Sequence, residues 1–571
     1  MHIGVDVGGT FTDIVVNRDD GSALLLHKLP STPDAPERAI VEGLATLMQQ
    51  HALSASSVDW LAHGTTVGTN ALIQRKHGKV ALITSRGFRD LMEIGRQTRP
   101  TVYDMHRDHP PPLVERRLRI DVPQRTLADG STHVPLDEDA VRDAAVLLRR
   151  ESVDCVVVCF LHSYAFPQDE RRAAAILKDN LPRSVAVLCS SDVYPEFREY
   201  ERFSTAVLNG ALITVLGSYL DRLTRSVADL GIASEIKVTQ SAGGLMSLRM
   251  AREYPVRASL SGPAAGVQGA QRRASAAGLR NIITLDVGGT RADVALLKDG
   301  NAVEVNERDL AGYPIRIPAL DVNAVGAGGG SIAWIGRDGL LKVGPQSAGA
   351  VPGPLCYGLG GTNATVTDAN VMLGRLDGES LLAGRMPIRA ELAARGIAGI
   401  ARELDATPDQ AALGILRVAA ATMVKAIRSI SVERGHYPSD FSLFVYGGAG
   451  ALFATEVARD LGMSQIVVPP DPGILCAEGA LNAPLSTDFV VTVLSALDSD
   501  GVRKLRGAEA ELKQRSAEWF SMEGVCPQLA QLVWTVGARY FGQNYELALK
   551  VDHAGDDGAH IARLGKAFPA A

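Results

Sequence analysis

The sequence predicts an α/β protein built from two related halves, on three observations. A phrase of the form Asp-x-Gly-Gly-Thr-x-x-Asp occurs twice, at residues 6–13 and 286–293. Each copy lies between runs of apolar, β-branched residues, which is typical of a strand, a tight turn and a second strand. The 571 residues are 46% hydrophobic but only 5% aromatic, and they include 57 glycines. That composition suits α/β layers joined by tight turns, and the length predicts about two to four domains.

Composition and charge argue against several classes of partner and location. The formal net charge is −6 with both signs interspersed, so no basic stripe favours nucleic-acid binding. The N-terminus carries Asp6 inside its first apolar run and has no basic region, so no signal peptide is predicted. No stretch is interpreted as a membrane span, and six cysteines in so long a chain do not form a disulfide framework. We therefore expect a cytoplasmic protein with no nucleic-acid partner and no membrane partner.

The repeated phrase combines groups that suit a phosphate and a divalent cation. Its paired glycines allow backbone N–H groups to form a small anion-binding concavity, and the adjacent threonines add hydroxyl donors. The candidate phosphate-binding residues are Gly8, Gly9, Thr10, Thr12, Gly288, Gly289 and Thr290. Asp6 and Asp286 carry hard oxygen atoms suited to hydrated Mg²⁺, and they are the candidate metal ligands.

The phrase has two interpretations. One copy alone reads most simply as a hairpin with a glycine turn, whereas two copies from similar halves favour a clamp on the phosphates of one nucleotide. Asp13 and Asp293 end the two phrases, and each either orients a threonine or an attacking water or simply ends a strand. Together with Asp6 and Asp286 they are the candidate catalytic carboxylates. The chain contains neither a P-loop nor a G-x-G-x-x-G fingerprint.

Two further glycine-rich turns follow. Residues 443–462 read as an apolar strand, a glycine turn and an Ala-rich helix, an arrangement in which a base or ribose can pack on bare backbone. Residues 326–331 lie between two apolar runs, so we interpret them as a backbone wall against phosphate or substrate rather than a flexible linker. The candidate cofactor-binding residues in these turns are Gly328, Gly329, Gly447, Gly448 and Gly450. The two hairpins and the later turn resemble the two phosphate elements and the adenosine element of the actin, hexokinase and Hsp70 ATPase superfamily.

Residues 63–103 hold the candidate substrate contacts. A glycine turn leads into a short helix and then into a buried strand at residues 79–84. The candidates around this turn and in the Arg-rich segment that follows are His63, Thr65, Thr66, Asn70, Arg96, Arg99 and Tyr103. An arginine here would either pair with a substrate carboxylate in bidentate fashion or lie on a solvated loop, and both interpretations stay open.

A series of motifs runs in order along nearly the whole chain. The motifs are VDVGGTFTD (5–13), HGTTVGTNALI (63–73), IGRQTRP (94–100), FLHSYAFP (160–167), LSGPAAGVQGA (260–270), DVGGTRADVALL (286–297), GPQSAGAVPGPLCYGLGGTNATVTDANVMLGRL (344–376), SVERG (431–435) and YGGAGAL (446–452). Together they resemble the hydantoinase A/5-oxoprolinase family, which includes N-methylhydantoinase A and the acetone carboxylase β subunit. The long segment at 344–376 is highly specific.

The resemblance implies a duplicated ATPase fold of the actin and hexokinase type that uses ATP and Mg²⁺. It implies one half at residues 1–190, a second half at 191–490 and a small, truncated α+β unit at 491–571. The implied reaction is ATP-dependent hydrolysis of a cyclic amide, either 5-oxoproline or a hydantoin-type lactam, through phosphorylation of its carbonyl oxygen. The resemblance also implies a hydantoinase B-type partner subunit and therefore a hetero-oligomer.

Two other functions compete with this expectation. One is the β-type subunit of an ATP-dependent ketone carboxylase. Its carbonyl substrate and its dependence on bicarbonate would distinguish it from a cyclic-amide hydrolase. The other is a nucleotide-driven conformational protein like actin or Hsp70, against which the substrate-side motif at 63–100 argues.

Two departures from the family pattern bear on activity. Arg291 and Ala292 stand where small hydroxyl residues are usual, and Arg291 either contacts phosphate directly or points away. Residues 560–571 begin like an amphipathic helix and then stop, which predicts an incomplete last domain.

One long segment is predicted to serve the core alone. Thr407, the proline that follows it and Gln410 form a helix-start signature, and apolar residues recur at helical spacing up to Ile430. Cys155 and Cys159 are four residues apart on a β-branched run, so both are expected to be small core residues.

Overall fold

Both copies of the repeated phrase fold as β-hairpins, as predicted. The computed structural model describes residues 1–18, 20–382 and 384–551. Asp6 lies directly across from Asp13, and Asp286 lies directly across from Asp293. Directly opposed residues of antiparallel strands project from the same face of a sheet. Each hairpin therefore presents two carboxylates side by side.

The strands and helices of the first half lie within residues 2–253. The strands are β1 (His2–Val7), β2 (Phe11–Asn17), β3 (Leu25–Pro30), β4 (Trp60–Thr65), β5 (Val80–Ser85), β6 (Arg119–Val122), β7 (Arg125–Thr126), β8 (Thr132–Val134), β9 (Cys155–Cys159), β10 (Ala186–Cys189), β11 (Glu235–Thr239) and β12 (Leu245–Ser247). The helices are α1 (Pro36–His51), α2 (Val67–Ile73), α3 (Leu91–Ile94), α4 (Glu138–Glu151), α5 (Gln168–Asn180), α6 (Ser190–Val193), α7 (Glu199–Asp229) and α8 (Leu248–Glu253).

The first sheet has the strand order β12-β11-β4-β1-β2-β3, in which β4 runs parallel to β1 and β2 runs antiparallel to it. Between β4 and β11 the chain forms a second sheet, which is wholly parallel, with the order β10-β9-β5-β6. Helix α7 packs on both sheets, because Leu208 joins the core around Val157 and Leu220 joins the core around Val5. The boundary expected at residue 190 divides the first sheet, since β11 and β12 return to it after that point.

The second half begins with a helix that follows the first sheet. Its helices are α9 (Ser261–Ala276), α10 (Val366–Met372), α11 (Ala390–Glu403), α12 (Pro408–Ile430), α13 (Ala454–Leu461) and α14 (Leu475–Asn482). Its strands are β13 (Ile282–Val287), β14 (Ala292–Lys298), β15 (Asn301–Ala302), β16 (Glu304–Leu310), β17 (Tyr313–Leu320), β18 (Val322–Val325), β19 (Ser331–Ile335), β20 (Leu341–Ser347), β21 (Ser380–Leu381), β22 (Met386–Pro387), β23 (Ser442–Tyr446) and β24 (Ile466–Val467).

The sheet of the second half repeats the topology of the first sheet. Its order is β15-β14-β13-β23-β24, and β18 also pairs with β14. In both sheets a third strand lies antiparallel on the hairpin's second strand, and a later strand lies parallel to the hairpin's first strand. This duplicated topology is the actin- and hexokinase-type ATPase fold that the sequence predicts.

Helices α9 and α14 each pack on the half that does not precede them in the chain, so these exchanged helices hold the two halves together. Helix α9 follows the first sheet in the chain, but its Val267 packs in one core with Phe444 of the second half. Helix α14 follows the second half's sheet, but Ala477 packs with Val15 of the first sheet. Where the two helices cross, a Cβ atom added to Gly479 would lie 1.8 Å from the Ala265 carbonyl oxygen. The crossing therefore depends on a residue without a side chain.

Substitution of Gly479 with alanine is expected to lower the free energy of unfolding by about 1–3 kcal/mol or more, because overpacking forces backbone apart at the crossing. Gly217 in α7 provides a matched control, since nothing lies within 4 Å of a Cβ atom added there. Gly217→Ala is expected to leave stability unchanged or raise it by up to about 1 kcal/mol, because alanine favours the helix. Urea unfolding of the two variants checks this, and an equal response would contradict the close crossing.

Two helices are long and apolar enough to cross a membrane by length and composition, which the sequence reading did not expect. They are α7 and the segment Pro408–Arg434, whose apolar windows are 72% and 56% buried inside the protein. Buried core helices pass the same test, so these two give only weak evidence for a membrane span.

The predicted start of α12 is confirmed, because Thr407 and Gln410 form a reciprocal capping box.

The C-terminal unit contains one helix and one hairpin in the part that the structure describes. These are α15 (Ser499–Met522), β25 (Thr535–Ala538) and β26 (Leu547–Lys550), with the two strands antiparallel. They lie in the range, from residue 491 onward, in which a small α+β unit is expected. The amphipathic segment expected at 560–571 lies outside the described residues.

Candidate active site

Four buried carboxylates lie at the two hairpin turns. Asp6, Asp13, Asp286 and Asp293 are each less than 10% exposed. Burial, together with the charges of Asp13 and Asp286, raises the pKa of Asp6 to about 7. Burial and the charge of Asp293 raise the pKa of Asp286 to about 7. The two hairpins therefore meet closely enough for carboxylates from different halves to interact.

Each hairpin pairs its second aspartate with one cation. The Lys28 ammonium donates a short hydrogen bond to Asp13 and a second bond, of 3.0 Å, to the Gly473 carbonyl oxygen. Arg291 Nε lies 3.0 Å from Asp293 Oδ2. Burial raises the pKa of Asp13 and of Asp293, and the paired cation lowers it in each case. Four carboxylates and two cations leave an excess of two negative charges when all are ionised.

This arrangement decides what Arg291 does and reveals a residue that the sequence reading missed. Arg291 forms an ion pair within its own hairpin through Nε, so its guanidinium points toward Asp293 and not away from the site. Lys28 is not among the sequence-based candidates, yet its ammonium pairs with Asp13 as Arg291 pairs with Asp293. The signal was available in the strand register, because Lys28 lies directly opposite Asp13 in β3.

The two glycine turns touch each other. A Cβ atom added to Gly9 would lie 3.1 Å from Thr290 Cγ2, and one added to Gly289 would lie 2.1 Å from Thr10 Oγ1. This contact leaves no gap for a phosphate between Gly289 and Thr10. Among the described residues, the backbone N–H groups of Gly9, Thr10, Gly289 and Thr290 donate to no protein acceptor. Both turns therefore offer backbone N–H donors where they touch, and we call this line of contact, between Gly9–Thr10 and Gly289–Thr290, the shared edge.

Thr12 lies on the opposite side of its strand from this edge, which corrects its assignment as a phosphate contact. Successive side chains of a strand point to opposite faces, so Thr12 points away from the face that carries Asp13. It is fully buried, and its hydroxyl lies 3.0 Å from Ser31 Oγ. Thr12 holds the hairpin against the segment after β3.

The glycine-rich loop at 326–331 lies directly against the second turn. Gly329 N–H donates to the Gly288 carbonyl oxygen at 2.9 Å, and Gly330 N–H donates to that of Gly289 at 2.6 Å. A Cβ atom added to Gly328 would lie 2.5 Å from the Arg291 backbone nitrogen. The predicted backbone wall therefore supports the turn, and these two N–H groups are already used in doing so.

A glycine covers each of the two inner carboxylates, Asp6 and Asp286, which lie on the first strand of each hairpin. A Cβ atom added to Gly64 would lie 2.8 Å from Asp6 Oδ1, and one added to Gly447 would lie 2.3 Å from Asp286 Oδ1. Gly447 has a φ of +81°, which favours glycine. Gly450 is buried behind Val445, whereas Gly448 is exposed with nothing within 4 Å of an added Cβ atom.

The first turns of α9 and α14 reach the same two carboxylates. Gly262 in α9 would place a Cβ atom 3.3 Å from Asp6 Oδ1. Cys476 in α14 donates its thiol to Asp286 Oδ2 at 3.4 Å. The exchanged helices therefore bring one helix N-terminus to each carboxylate, where the helix dipole favours negative charge.

The candidates at 63–70 lie beside β1, but His63 faces the core. His63 is fully buried, and its Nε2 atom lies 2.7 Å from the Tyr219 hydroxyl of α7. Burial lowers the pKa of His63 to about 3, so the ring is neutral. A substrate contact from His63 is therefore contradicted. Thr65 exchanges hydrogen bonds with Ser261 of α9 through its backbone, which also makes it a structural residue.

The remaining substrate candidates stay on the surface. Thr66 Oγ1 donates to the Val7 carbonyl oxygen at 3.2 Å, and exposed Asn70 donates to Thr66. Arg96 is paired in bidentate fashion with Glu201 of α7, at 2.8 and 2.5 Å. Arg99 is exposed, and Tyr103 is 99% exposed. No hydrogen bond or ion pair among the described residues joins Arg96, Arg99 or Tyr103 to the four carboxylates.

Two family models cover most of the chain. Residues 2–181 match the model of the hydantoinase/oxoprolinase N-terminal region, and residues 202–489 match the hydantoinase/oxoprolinase model. The chain belongs to the hydantoinase/oxoprolinase family. The two models meet between residues 181 and 202, close to the boundary read from the sequence, although the first sheet extends beyond it.

Several members of the hydantoinase/oxoprolinase family are similar over nearly the whole chain. Caprolactamase subunit alpha of Pseudomonas jessenii is 35% identical over 99% of this chain and 83% of its own. 5-Oxoprolinase 1 of Arabidopsis thaliana is 30% identical over 98% of this chain and 47% of its own. The crystal structure of the ATP-dependent caprolactamase from Pseudomonas jessenii superposes with a TM-score of 0.87, over 100% of this chain and 83% of that chain at 35% identity. The nucleotide-free structure of acetone carboxylase superposes with a TM-score of 0.83, over 100% of this chain and 84% of that chain, at 27% identity.

The raised pKa values of Asp6 and Asp286 make this family member's stability depend on pH. Each pKa rises from 3.8 to about 7 on folding. Between these values the folded chain binds more protons than the unfolded chain, so the free energy of unfolding falls as pH rises from about 4 to 7. The double variant Asp6→Asn, Asp286→Asn is expected to flatten this slope. Urea unfolding with EDTA at pH 5 and pH 8 measures it, and identical slopes for both proteins would refute the burial effect.

Proposed function

We propose that the chain binds ATP with Mg²⁺ at the two glycine turns and uses it to open a cyclic amide of the 5-oxoproline or hydantoin type. The observation that carries this proposal is the meeting of two equivalent carboxylate-bearing turns, one from each half. The similarity to the ATP-dependent caprolactamase of Pseudomonas jessenii supports the choice of a cyclic amide.

The residues present fit a magnesium ion held mainly through its nucleotide. Mg²⁺ usually keeps several waters and binds through one or two carboxylates plus substrate phosphates. Asp6 Oδ1 is buried and, among the described residues, has no hydrogen-bond partner. Asp286 holds the equivalent position in the second hairpin, so Asp6 and Asp286 would hold the ion. The described residues contain no group of three or more His, Cys, Asp or Glu suited to a metal, so phosphate and water would have to supply the other ligands.

The turns fit a phosphate chain for a separate reason. The N–H groups of Gly9, Thr10, Gly289 and Thr290 have no protein acceptor among the described residues, and oriented N–H groups of this kind bind anions. The exposed Gly448 lies at the start of the element where a nucleoside would pack. When all four carboxylates are ionised, the excess of two negative charges at the turns is matched by one divalent cation.

The chemistry follows from the resistance of an amide to water. ATP supplies a phosphoryl group, which turns the carbonyl oxygen of the amide into a phosphate leaving group. Lys28 and Arg291 hold Asp13 and Asp293 in fixed positions beside the inner carboxylates. Asp13 accepts a hydrogen bond from Lys28 and lies directly across from Asp6, so it is placed to orient a water. The chain thus positions groups and neutralises charge, which is the main protein contribution in phosphoryl transfer.

ADP release tests the proposal. The assay uses 5-oxoproline, hydantoin, caprolactam and acetone with bicarbonate, each with and without a co-expressed hydantoinase B-type subunit. We expect one ring to stimulate ADP release and to yield ring-opened product in equal amount. ADP release without any dependence on a small substrate would support a conformational protein of the actin or Hsp70 type and overturn the proposal.

A ketone carboxylase is the second candidate, because acetone carboxylase has the same fold over the whole chain. The acetone carboxylase beta subunit of Xanthobacter autotrophicus is 29% identical over 96% of this chain. Stimulation by acetone only when bicarbonate is present would favour this candidate over lactam hydrolysis.

A partner subunit and a cytoplasmic location belong to the same proposal. Caprolactamase subunit alpha, the acetophenone carboxylase gamma subunit and the acetone carboxylase beta subunit are parts of multi-subunit enzymes by name, which supports a hetero-oligomer for this chain. All six cysteines lie in the described part of the chain and are free thiols, which suits a reducing compartment. Co-purification with a B-type subunit tests the partner.

A further inference from the structure

A small cavity opens between the two halves beside Lys28. Its volume is about 220 Å³, and its walls come from β3, from the turn before α14 and from Arg385. Arg385 lies in the loop between β21 and β22 of the second half. The cavity is open to solvent, and it is lined on one side by the first half and on the other by the second.

The cavity lies one side chain away from the carboxylates. Lys28 lines it and donates both to Asp13 and to the carbonyl oxygen of Gly473, which is also in the lining. Asp13 in turn lies directly across from Asp6. A molecule in the cavity would thus contact the Lys28 ammonium group, which also pairs with Asp13.

The lining combines apolar walls with unbalanced positive charge. Leu26 and Ile474 supply apolar surface, and Asp471 is the only acid among the described lining residues. Arg385 Nε donates to the Leu382 carbonyl oxygen at 3.1 Å, and its Nη1 lies 3.4 Å from His27 Nδ1. Among the described residues, no aspartate or glutamate forms an ion pair with Arg385. Its guanidinium therefore has no acidic partner among these residues, and it can take an external carboxylate, a group that arginine binds in bidentate fashion.

His27 does not compete for that role. Burial and the nearby positive charge of Arg385 lower the pKa of His27, so its ring is neutral near pH 7 and leaves the charge on Arg385. Glu42 acts in the opposite direction on His27 but does not reverse the shift.

We infer that this cavity is the substrate site and that it takes a cyclic amide whose ring carries a carboxylate. Arg385 binds that carboxylate, Leu26 and Ile474 contact the ring carbons, and Lys28 faces the carbonyl oxygen. The inference rests on the proposed function, because it assigns a substrate class to the same site. It selects carboxylated rings over neutral lactams and over ketones.

The test compares 5-oxoproline with 2-pyrrolidinone, which is the same ring without the carboxylate. Both equilibrium binding and substrate-stimulated ADP release are measured on the full chain with its co-expressed B-type subunit. We expect a clear preference for 5-oxoproline in the native chain. In Arg385→Gln we expect binding and kcat/KM for 5-oxoproline to fall by about ten- to a hundredfold, with the KM for ATP unchanged. Arg385→Lys is expected to restore part of this loss.

Arg395→Gln is the matched control, because Arg395 is an exposed arginine of α11 outside the cavity. Equal affinity of the native chain for both rings, or an Arg385→Gln variant that behaves like Arg395→Gln, would overturn the inference while leaving lactam hydrolysis in place. A raised KM for ATP in Arg385→Gln would also overturn it, since the cavity would then bind a nucleotide phosphate. Binding of 5-oxoproline through Arg385 without any turnover would support the site and count against the proposed reaction.

Discussion

Replacement of Asp286 by asparagine is expected to remove ATP turnover and to leave the fold intact. The pKa of Asp286 is about 7, so the uncharged acid is already a major form near neutral pH, and asparagine imitates its shape and charge. The variant removes one of the two carboxylates that would hold the metal. A bound metal ion contributes several kcal/mol to catalysis, so the expected loss is roughly a thousandfold or more in kcat. Steady-state ADP release at saturating ATP measures it.

The control for this variant is Asp440→Asn, because Asp440 is exposed on the short segment Pro438–Asp440. Asp440→Asn should retain native turnover, and urea unfolding should show that both variants are folded. Asp6→Asn, the equivalent change in the other half, should cause a loss of similar size if both hairpins hold the ion. If turnover in Asp286→Asn matched that in Asp440→Asn, the metal role of the second hairpin would be rejected.

The parts of the fold that could be predicted from the sequence are those with local signals. The hairpins follow from the alternation of apolar residues around Gly8 and Gly288, and the start of α12 follows from Thr407 and Gln410. These features depend on residues within one or two turns of chain. The duplicated phrase then carried the prediction from local structure to a two-half ATPase fold.

The parts that could not be predicted depend on pairings between distant segments. Strands β11 and β12 rejoin the first sheet after an inserted parallel sheet, and α9 and α14 pack on the half that does not precede them in the chain. The residues of one motif also separate in space. His63 pairs with Tyr219, whose position in the chain is 156 residues away, and Arg96 pairs with Glu201. A motif read along the chain cannot show which of its members face the core.

Lys28 and Thr12 show how strand register decides the membership of a site. Both lie within 16 residues of Asp13, and Thr12 is its direct neighbour. Lys28 reaches the carboxylate because it is opposite Asp13 across β2 and β3, whereas Thr12 points to the other face and meets Ser31. Knowledge of how β2 pairs with β3 would have added Lys28 to the predicted site and removed Thr12 from it.

Gly289→Ala is expected to disrupt the contact between the two turns, and Gly288→Ala is expected to leave it intact. The added methyl group at Gly289 would lie 2.1 Å from Thr10 Oγ1 and 2.8 Å from Thr10 Cβ, so a rotation of the hydroxyl cannot relieve the clash. At Gly288 the nearest atom to an added Cβ is the Arg291 carbonyl oxygen at 3.8 Å, which is an ordinary contact. We expect Gly289→Ala to lower the free energy of unfolding by about 1–3 kcal/mol and to reduce turnover with it.

A second substitution separates the effect of the clash from a general weakness of the turn. In Thr10→Gly, Gly289→Ala the opposing side chain is absent, so the double variant should recover most of the stability lost by Gly289→Ala. The coupling between the two positions is then favourable and of similar size to the single loss, as expected for residues in direct contact. Additive losses in urea unfolding would mean that the turns act independently. In that case the two halves would bring their phosphate-binding groups together only when a nucleotide joins them, and the shared edge described here would not be the resting arrangement of the site.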